Sequence, residues 1–254
     1  MYHFSPDLAP FGYLGVDLFF VISGYLITKQ LLKSFSNEKK IFKRFYFKRF
    51  KRIIPSLITS SIFTVIIGYY NLSLEHFYEL LRGLKYSLLF AGNIYFSQVI
   101  DYFSVDSEKN LIINLWSLGV EEQFYILFPF LFLLGHRLKR IKFSYFLLFC
   151  FLISLFGYSN IFYNTLNLNK IFFEFEKYLF YSPFTRAAQL LLGSLAATKK
   201  SNIYLKNPYL NYFLIALLSL FLFVEIEFYN HVVISLITVF LVLYETRFND
   251  TVVT

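Results

Sequence analysis

The chain has one cysteine and only four histidines among its 254 residues. A single thiol excludes a disulfide framework, and so few soft ligands leave little material for a zinc site. Charged side chains are also scarce, at 16% of the residues, whereas soluble domains carry about 25%. Disordered chains are polar and contain few aromatics, so the 35 Phe and 21 Tyr residues exclude disorder as well.

Apolar side chains are what the sequence has in abundance. Hydrophobic residues make up 57% of the chain, and the mean hydropathy is +0.55. This much apolar surface would overfill one globular core of this length, which indicates that lipid is the solvent. We therefore predict an all-α fold, a polytopic transmembrane helical bundle that forms one domain over residues 1–254.

Seven segments reach or approach the roughly 20 apolar residues that a membrane-spanning helix needs. They are Phe11–Leu32, Ile53–Tyr70, Leu115–Gly135, Phe143–Tyr158, Pro183–Thr198, Tyr209–Val224 and Tyr229–Tyr244. Pro55 is expected in the first turn of the second span, where proline is tolerated. Gly83–Gln98 has only a short apolar centre, which predicts a re-entrant or interfacial piece that does not cross.

The net charge of +8 is concentrated at the ends of apolar segments. The stretch from Lys29 to Arg52 is the most basic, and Glu38 is its only acid. Basic clusters of this kind are typical of cytoplasmic loops, so lipids rather than nucleic acid are the expected partners. With the loop 33–52 in the cytoplasm, every other basic loop falls on the same side if Gly83–Gln98 does not cross. This topology predicts a multi-pass protein of the inner (cytoplasmic) membrane with Met1 outside.

Ionisable groups inside apolar segments are costly and usually face the interior of a helical bundle. Adjacent carboxylates at Glu121 and Glu122 point about 100° apart on a helix. In a water-excluded site one of them would suit general acid or base chemistry. The alternative is that both lie at the outer interface, in the first turn of their helix, where acids complement the helix dipole.

Other polar groups also allow two interpretations. Asp17 stands near the start of the first span, where it would complement the helix dipole, and Gly24 would permit close helix packing. The basic stretch Lys48–Pro55 could hold phosphate oxygens, or it could serve orientation and contact with anionic lipids. His3 could act as a general base near neutral pH, or it could be an exposed terminal residue.

Four motifs occur in a fixed order along the chain. They are YHF at 2–4, GVDLFFVISGYLI at 15–27, FKRFKRIIP at 47–55 and WSLGVEEQFY at 116–125, with a weaker continuation, TRAAQLLLG, at 185–193. In this order they resemble the acyltransferase-3 family of membrane O-acyltransferases, which modify bacterial surface glycans. The resemblance covers most of the chain.

The resemblance implies roles for seven residues. Three are catalytic, namely His3, Glu121 and Asp17, and four bind the acyl-CoA substrate, namely Lys48, Arg49, Arg52 and Arg186. Glu122 occupies a more variable place in the family. No metal and no bound cofactor is implied, since acyl-CoA is the donor substrate.

The implied reaction moves an acyl group, acetyl by preference, from acyl-CoA to a hydroxyl of a cell-envelope glycan such as lipopolysaccharide or capsule. His3, aided by Glu121, would take a proton from the acceptor hydroxyl or pass the acyl group onward. Acyl-CoA would bind from the cytoplasmic face, where Arg49 and Arg52 meet its phosphates.

Two departures from the family pattern leave an alternative open. The family pairs its His with an Arg about eleven residues upstream, three helical turns away, whereas two residues precede His3. Family members usually carry Trp-Glu where this chain has Ala188-Gln189. We therefore expect truncation at the N-terminus and at the C-terminus, and the alternative is a catalytically inactive remnant or a non-enzymatic helper in glycan export. An ion-coupled transporter would need paired charges along a pathway, for which the chain offers little.

Overall fold

The computed structural model describes residues 14–34, 38–99, 110–138, 142–158, 180–198, 234–239 and 241–242. Regular structure in these ranges is helical, which confirms the predicted all-α class. The helices are α1 (Gly15–Ser34), α2 (Glu38–Asn71), α3 (Leu74–Leu88), α4 (Gly92–Val99), α5 (Leu115–Arg137), α6 (Phe143–Tyr158) and α7 (Pro183–Thr198). Residues 234–239 and 241–242 are helical as well.

Three of the described helices are long and apolar enough to cross a membrane. These spans are Gly15–Ser34, Phe42–Asn71 and Leu115–Arg137, and Phe143–Ser154 is a shorter apolar helix. The predicted spans agree closely with α1 and α5, and those predicted for α6 and α7 have the observed bounds. The protein is therefore a multi-pass membrane protein. The predicted span Tyr209–Val224, like most of Tyr229–Tyr244, lies outside the described residues.

Helix α2 differs from the prediction in its first half. Residues 38–52 were expected in a loop, yet they are helical and continuous with the span, so that Pro55 lies inside the helix rather than in its first turn. The physical reason is that Lys and Arg are good helix formers, and their charge signals solvent contact rather than a loop. At 34 residues, α2 is about 50 Å long and exceeds the roughly 30 Å hydrocarbon core.

The segment predicted to be re-entrant, Gly83–Gln98, covers the end of one short helix, α3, and most of a second, α4. Helix α3 has 15 residues and α4 has eight, so each is shorter than a membrane crossing requires. Ser73 caps α3 by accepting a hydrogen bond from the backbone N–H of His76 at 3.5 Å. Phe90, in the connecting turn, has a positive φ of 56°. Helix α4 packs against α5, and α3 packs against α2, α4 and α5.

The chain divides into two compact units. One unit comprises residues 1–32, 138–153 and 187–254, and it holds nearly all of α1 and most of α7. The other comprises residues 33–137 and 154–186, and it holds α2 to α5 and the first turn of α7. That residues 1–254 form one domain stays a prediction.

Backbone contact joins α1 and α7 within the first unit. A Cβ atom added to Gly24 would collide with the carbonyl group of Leu190, and one added to Gly193 would collide with that of Val21. Ser194 Oγ donates hydrogen bonds to Leu190 O at 2.9 Å and to Gly24 O at 3.2 Å. The predicted close packing at Gly24 is confirmed, and small residues are how membrane helices achieve it.

Candidate functional site

Both acids of α5 are buried in the protein. Relative to full exposure, Glu121 is 5% exposed and Glu122 is 9% exposed. Helix α5 begins at Leu115, so the acids lie in its second turn, and the first turn holds no acid. Their alternative placement in the first turn, at an exposed interface, is therefore wrong. Buried carboxylates require compensating partners.

Glu121 has such a partner one helical turn further along α5. The hydroxyl group of Tyr125 donates a hydrogen bond to Glu121 Oε1. Over the face of the same ring, the guanidinium carbon of Arg49 lies 3.6 Å from the Tyr125 ring centroid. Arg49 also interacts electrostatically with Glu121 and Glu122. The basic motif of α2 and the acidic motif of α5 therefore meet at one cluster, which we call the Arg49–Glu121 cluster (Arg49, Glu121, Glu122 and Tyr125).

An aromatic seam between α2 and α5 brings these groups together. The rings of Phe42 and Phe130 stack with centroids 5.2 Å apart, and Tyr46 donates its hydroxyl hydrogen to Ile126 O at 2.9 Å. From one contact to the next the residue number on α2 rises while that on α5 falls, so the two helices are antiparallel. Tyr125 lies about 15 Å along α5 from its first residue, which places the Arg49 contact near the middle of that helix.

The four residues predicted to bind acyl-CoA therefore have different surroundings. Lys48 and Arg52 are exposed, whereas Arg49 is half-buried against Phe45 and Tyr125. An arginine that stacks on a buried ring and interacts electrostatically with two carboxylates can balance part of their charge.

Arg186 is almost completely enclosed, at 2% exposure. Its Nε donates a hydrogen bond to Phe180 O at 2.9 Å. The guanidinium carbon lies 4.5 Å from the ring centroid of Phe180 and 5.6 Å from that of Trp116. This aromatic enclosure favours a structural role for Arg186 over a contact with a phosphate group.

Asp17 lies in the first turn of α1, as predicted, and is 1% exposed. The side-chain amide of Gln189 on α7 donates a hydrogen bond to Asp17 Oδ1 at 3.1 Å. The family resemblance places Glu at position 189, and a second carboxylate there would repel Asp17 at this distance. The amide of Gln189 makes the contact favourable in this chain.

A polar clamp between α4 and α5 was not anticipated from the sequence. Gln123 Nε2 donates hydrogen bonds to Asn93 Oδ1 at 2.8 Å and to Phe90 O at 2.9 Å. Asn93 Nδ2 donates to Tyr181 O at 3.2 Å. Gly119 permits this close approach, because a Cβ there would lie 2.9 Å from Asn93 Oδ1. The one local feature that points to this clamp is Gln123 itself, a polar amide that directly follows the two acids in an apolar segment.

His3 lies outside the described residues, so its catalytic role stays a prediction. Within the described ranges, no group of three or more His, Cys, Asp or Glu side chains is arranged to hold a metal ion.

Comparison with known proteins now identifies the family. The family model described as "Acyltransferase domain", that of acyltransferase-3, matches residues 1–249. The chain belongs to this family. The family predicted from the four ordered motifs is therefore confirmed, and the match to an acyltransferase domain also confirms the predicted enzyme class.

Three relatives illustrate how far the similarity extends. O-acetyltransferase OatA of Staphylococcus aureus is 35% identical over 201 residues, which cover 78% of this chain and 32% of OatA. YrhL of Bacillus subtilis, provisionally named a peptidoglycan O-acetyltransferase, is 33% identical over 141 residues, covering 55% of this chain and 22% of YrhL. An uncharacterized protein of Haemophilus influenzae is 29% identical over 187 residues, covering 72% of this chain and 73% of that protein.

The chain spans about a third of OatA and less of YrhL, so both named relatives are much longer than the matched domain. No solved structure matches the chain.

Proposed function

We propose that this protein is a membrane O-acyltransferase that transfers an acyl group, acetyl in the first instance, from acyl-CoA to a hydroxyl of a cell-envelope glycan. The observation that carries the proposal is the buried Arg49–Glu121 cluster inside an acyltransferase domain. The names of OatA and YrhL support acetyl as the group, and the name of YrhL supports a glycan as the acceptor.

The chemistry requires a group that receives a proton. The acceptor oxygen forms a bond to the thioester carbon, the C–S bond breaks, and the hydroxyl proton leaves the oxygen. CoA departs as a thiolate and then takes up a proton. A carboxylate or imidazole held in a water-excluded site can receive the hydroxyl proton as general base, and Glu121 with His3 would do so here.

Arg49 would hold a negative charge on the α5 acids at membrane depth. A buried carboxylate without a counter-charge is strongly destabilised. The guanidinium of Arg49 interacts with both acids, and its stacking on Tyr125 limits its movement. This fixed arrangement keeps the base in one orientation and needs no rearrangement during the reaction.

The exposed basic residues of α2 are placed for the donor. Lys48 and Arg52 are solvent-accessible on the helix that carries Arg49, and both side chains suit the phosphates of acyl-CoA. We assign the phosphate contact mainly to these two residues, because Arg49 is stacked on Tyr125 and interacts with the acids. The catalytic role that the family resemblance implies for Asp17 is part of this proposal, and within the first unit the Asp17 carboxylate accepts a hydrogen bond from Gln189.

The proposed location is the inner membrane, with residues 33–52 on the cytoplasmic side. Acyl-CoA is cytoplasmic and the glycan is outside, so the domain must bring two substrates together across the bilayer. Membrane lipids, the glycan and acyl-CoA are the proposed partners.

Radiolabel transfer tests the proposal. Membranes containing the chain, or the chain extended by any coding sequence upstream of Met1, are incubated with labelled acetyl-CoA and an envelope glycan fraction. We expect label in base-labile ester linkage to the glycan, and loss of that label in Glu121→Gln. The exposed acid Glu79 provides the matched control, Glu79→Gln, which should transfer normally. Absence of transfer from both versions would favour the inactive remnant or export helper.

A further inference from the structure

Glu122 is buried in the second unit with an oxygen that no described residue pairs. The residue is nine-tenths buried, and among the parts of the chain that the structure describes its Oε1 has no hydrogen-bond partner. Buried polar atoms almost always have at least one partner, and a charged group without one is costly to bury. An oxygen of this kind is open to a further donor, and the hydroxyl group of a bound substrate can supply one.

The neighbours of Glu122 along α5 are already satisfied within the protein. Glu121 accepts the hydroxyl hydrogen of Tyr125. Gln123 donates to Asn93 and to Phe90 across the clamp with α4. These contacts fix the rotation of α5 without help from Glu122, so packing does not account for its burial.

Glu122 interacts electrostatically with the other charged groups of the Arg49–Glu121 cluster. Its carboxylate interacts with Glu121 on its own helix and with Arg49 on α2. Arg49 stacks on the Tyr125 ring and interacts electrostatically with both acids. The cluster therefore contains one carboxylate bound by Tyr125 and a second with an unoccupied oxygen.

We propose that Glu122 Oε1 accepts a hydrogen bond from the acceptor hydroxyl, which makes Glu122 the α5 carboxylate that touches the substrate. This inference rests on the proposed function and refines it: among the α5 acids the role of proton acceptor moves from Glu121 to Glu122, and Glu121 orients Tyr125 and Arg49. In the transfer step the acceptor oxygen bonds to the acyl carbon and the C–S bond to CoA breaks. The hydroxyl proton passes to Glu122 Oε1 and from there to the leaving thiolate, so that charge and atoms balance.

The kinetics of two variants distinguish a direct contact of Glu122 with the substrate from a structural role. In Glu122→Gln the side-chain oxygen still accepts a hydrogen bond but cannot receive a proton. We expect kcat to fall by about 100-fold or more, with the KM for the glycan within about threefold of wild type. In Glu122→Ala both constants should worsen. Glu79→Gln should change neither, and a kcat for Glu122→Gln within about threefold of wild type would overturn the inference.

A labelling experiment decides the point independently of turnover. Dicyclohexylcarbodiimide enters membranes and modifies carboxyl groups there, and peptide mass spectrometry locates the modified residue. We expect modification at Glu122 in preference to Glu121, and protection of Glu122 by soluble peptidoglycan fragments. Glu122 left unmodified, or modified equally with and without these fragments, would overturn the inference. If the wild-type protein transfers acetyl groups and Glu122→Gln transfers them at the same rate, the inference fails while the proposed function stands. If the wild-type protein shows no transfer, the proposed function is contradicted, and the labelling result alone decides the role of Glu122.

Discussion

Arg49 and Tyr125 are in cation–π contact, with the guanidinium carbon 3.6 Å from the ring centroid. The contact joins two motifs that are far apart in the sequence, one basic and one acidic. Desolvated cation–π pairs contribute about 2 kcal/mol or more. Tyr125 also donates its hydroxyl hydrogen to Glu121, so the ring links a cation on one side to an anion at its edge.

Substitutions of Arg49 and Arg52 should have different effects. Arg49→Lys keeps the charge but loses the planar group that covers the Tyr125 ring, so we expect a lower melting temperature and a lower kcat. Arg52→Ala removes an exposed side chain, so it should raise the KM for acyl-CoA and leave the melting temperature within a degree or two. Thermal unfolding in detergent and initial rates measure both. Equal loss of stability in the two variants would contradict the assignment of Arg49 to the acids.

Tyr125→Phe tests the hydrogen bond to Glu121 separately from the stacking on Arg49. The ring remains, so the contact with Arg49 is kept, while a hydrogen bond to a charged group, about 1.5–3 kcal/mol, is lost. Tyr125→Leu removes both contacts and should be less stable than Tyr125→Phe. A double-mutant cycle with Glu121→Gln should give a coupling energy of at least about 0.5 kcal/mol. Additive effects would show that the two groups do not interact.

Gly24→Ala and Gly193→Ala should disrupt the packing of α1 on α7. A methyl group at either position meets the backbone of the facing helix, and backbone cannot move aside as a flexible side chain can. We expect much reduced accumulation of folded protein in membranes, measured by fluorescence-detected size exclusion. Gly15→Ala is the control, because a Cβ at Gly15 meets nothing within 4 Å. Normal accumulation of Gly24→Ala would contradict the close approach.

Gln123→Leu should loosen the clamp between α4 and α5. The substitution leaves Asn93 Oδ1 and Phe90 O without the donor they now share, at a cost of about 1–3 kcal/mol for each unsatisfied group. Thermal unfolding measures the loss. Gln98→Leu, on the exposed side of α4, changes the same residue type without this effect, and a similar loss in both would argue against the clamp.

Cysteine labelling tests the proposed topology. With the native thiol removed as Cys150→Ser, single cysteines at Ser36 and Ser107 should react with impermeant reagents from opposite sides of the membrane. Intact and opened cells distinguish the sides. Labelling of both positions from one side would require a crossing in the α3–α4 region and would overturn the map.

Several helices could be predicted from local sequence because their ends carry local signals. Helix α7 begins at Pro183, a residue suited to a first helical turn, and α6 coincides with an uninterrupted apolar run. The first half of α2 differs from the prediction of a loop, because its charge indicates solvent contact while its Lys and Arg residues are good helix formers. The contacts of Phe42 and Tyr46 with α5 join residues far apart in the sequence, so no local signal predicts them.

Composition and motifs predict a membrane-embedded helical domain of the acyltransferase-3 family, and they single out Glu121, Glu122, Asp17 and Arg49 as candidate site residues. Composition and motif order suffice for this because both are local properties of the chain. The folded arrangement of the helices is needed to see that Tyr125 binds Glu121, that Arg49 stacks on Tyr125, and that no described residue pairs Glu122 Oε1. Neighbouring residues on a helix point in different directions, so their partners depend on how each helix is rotated against the next, and that rotation is fixed by contacts between distant segments.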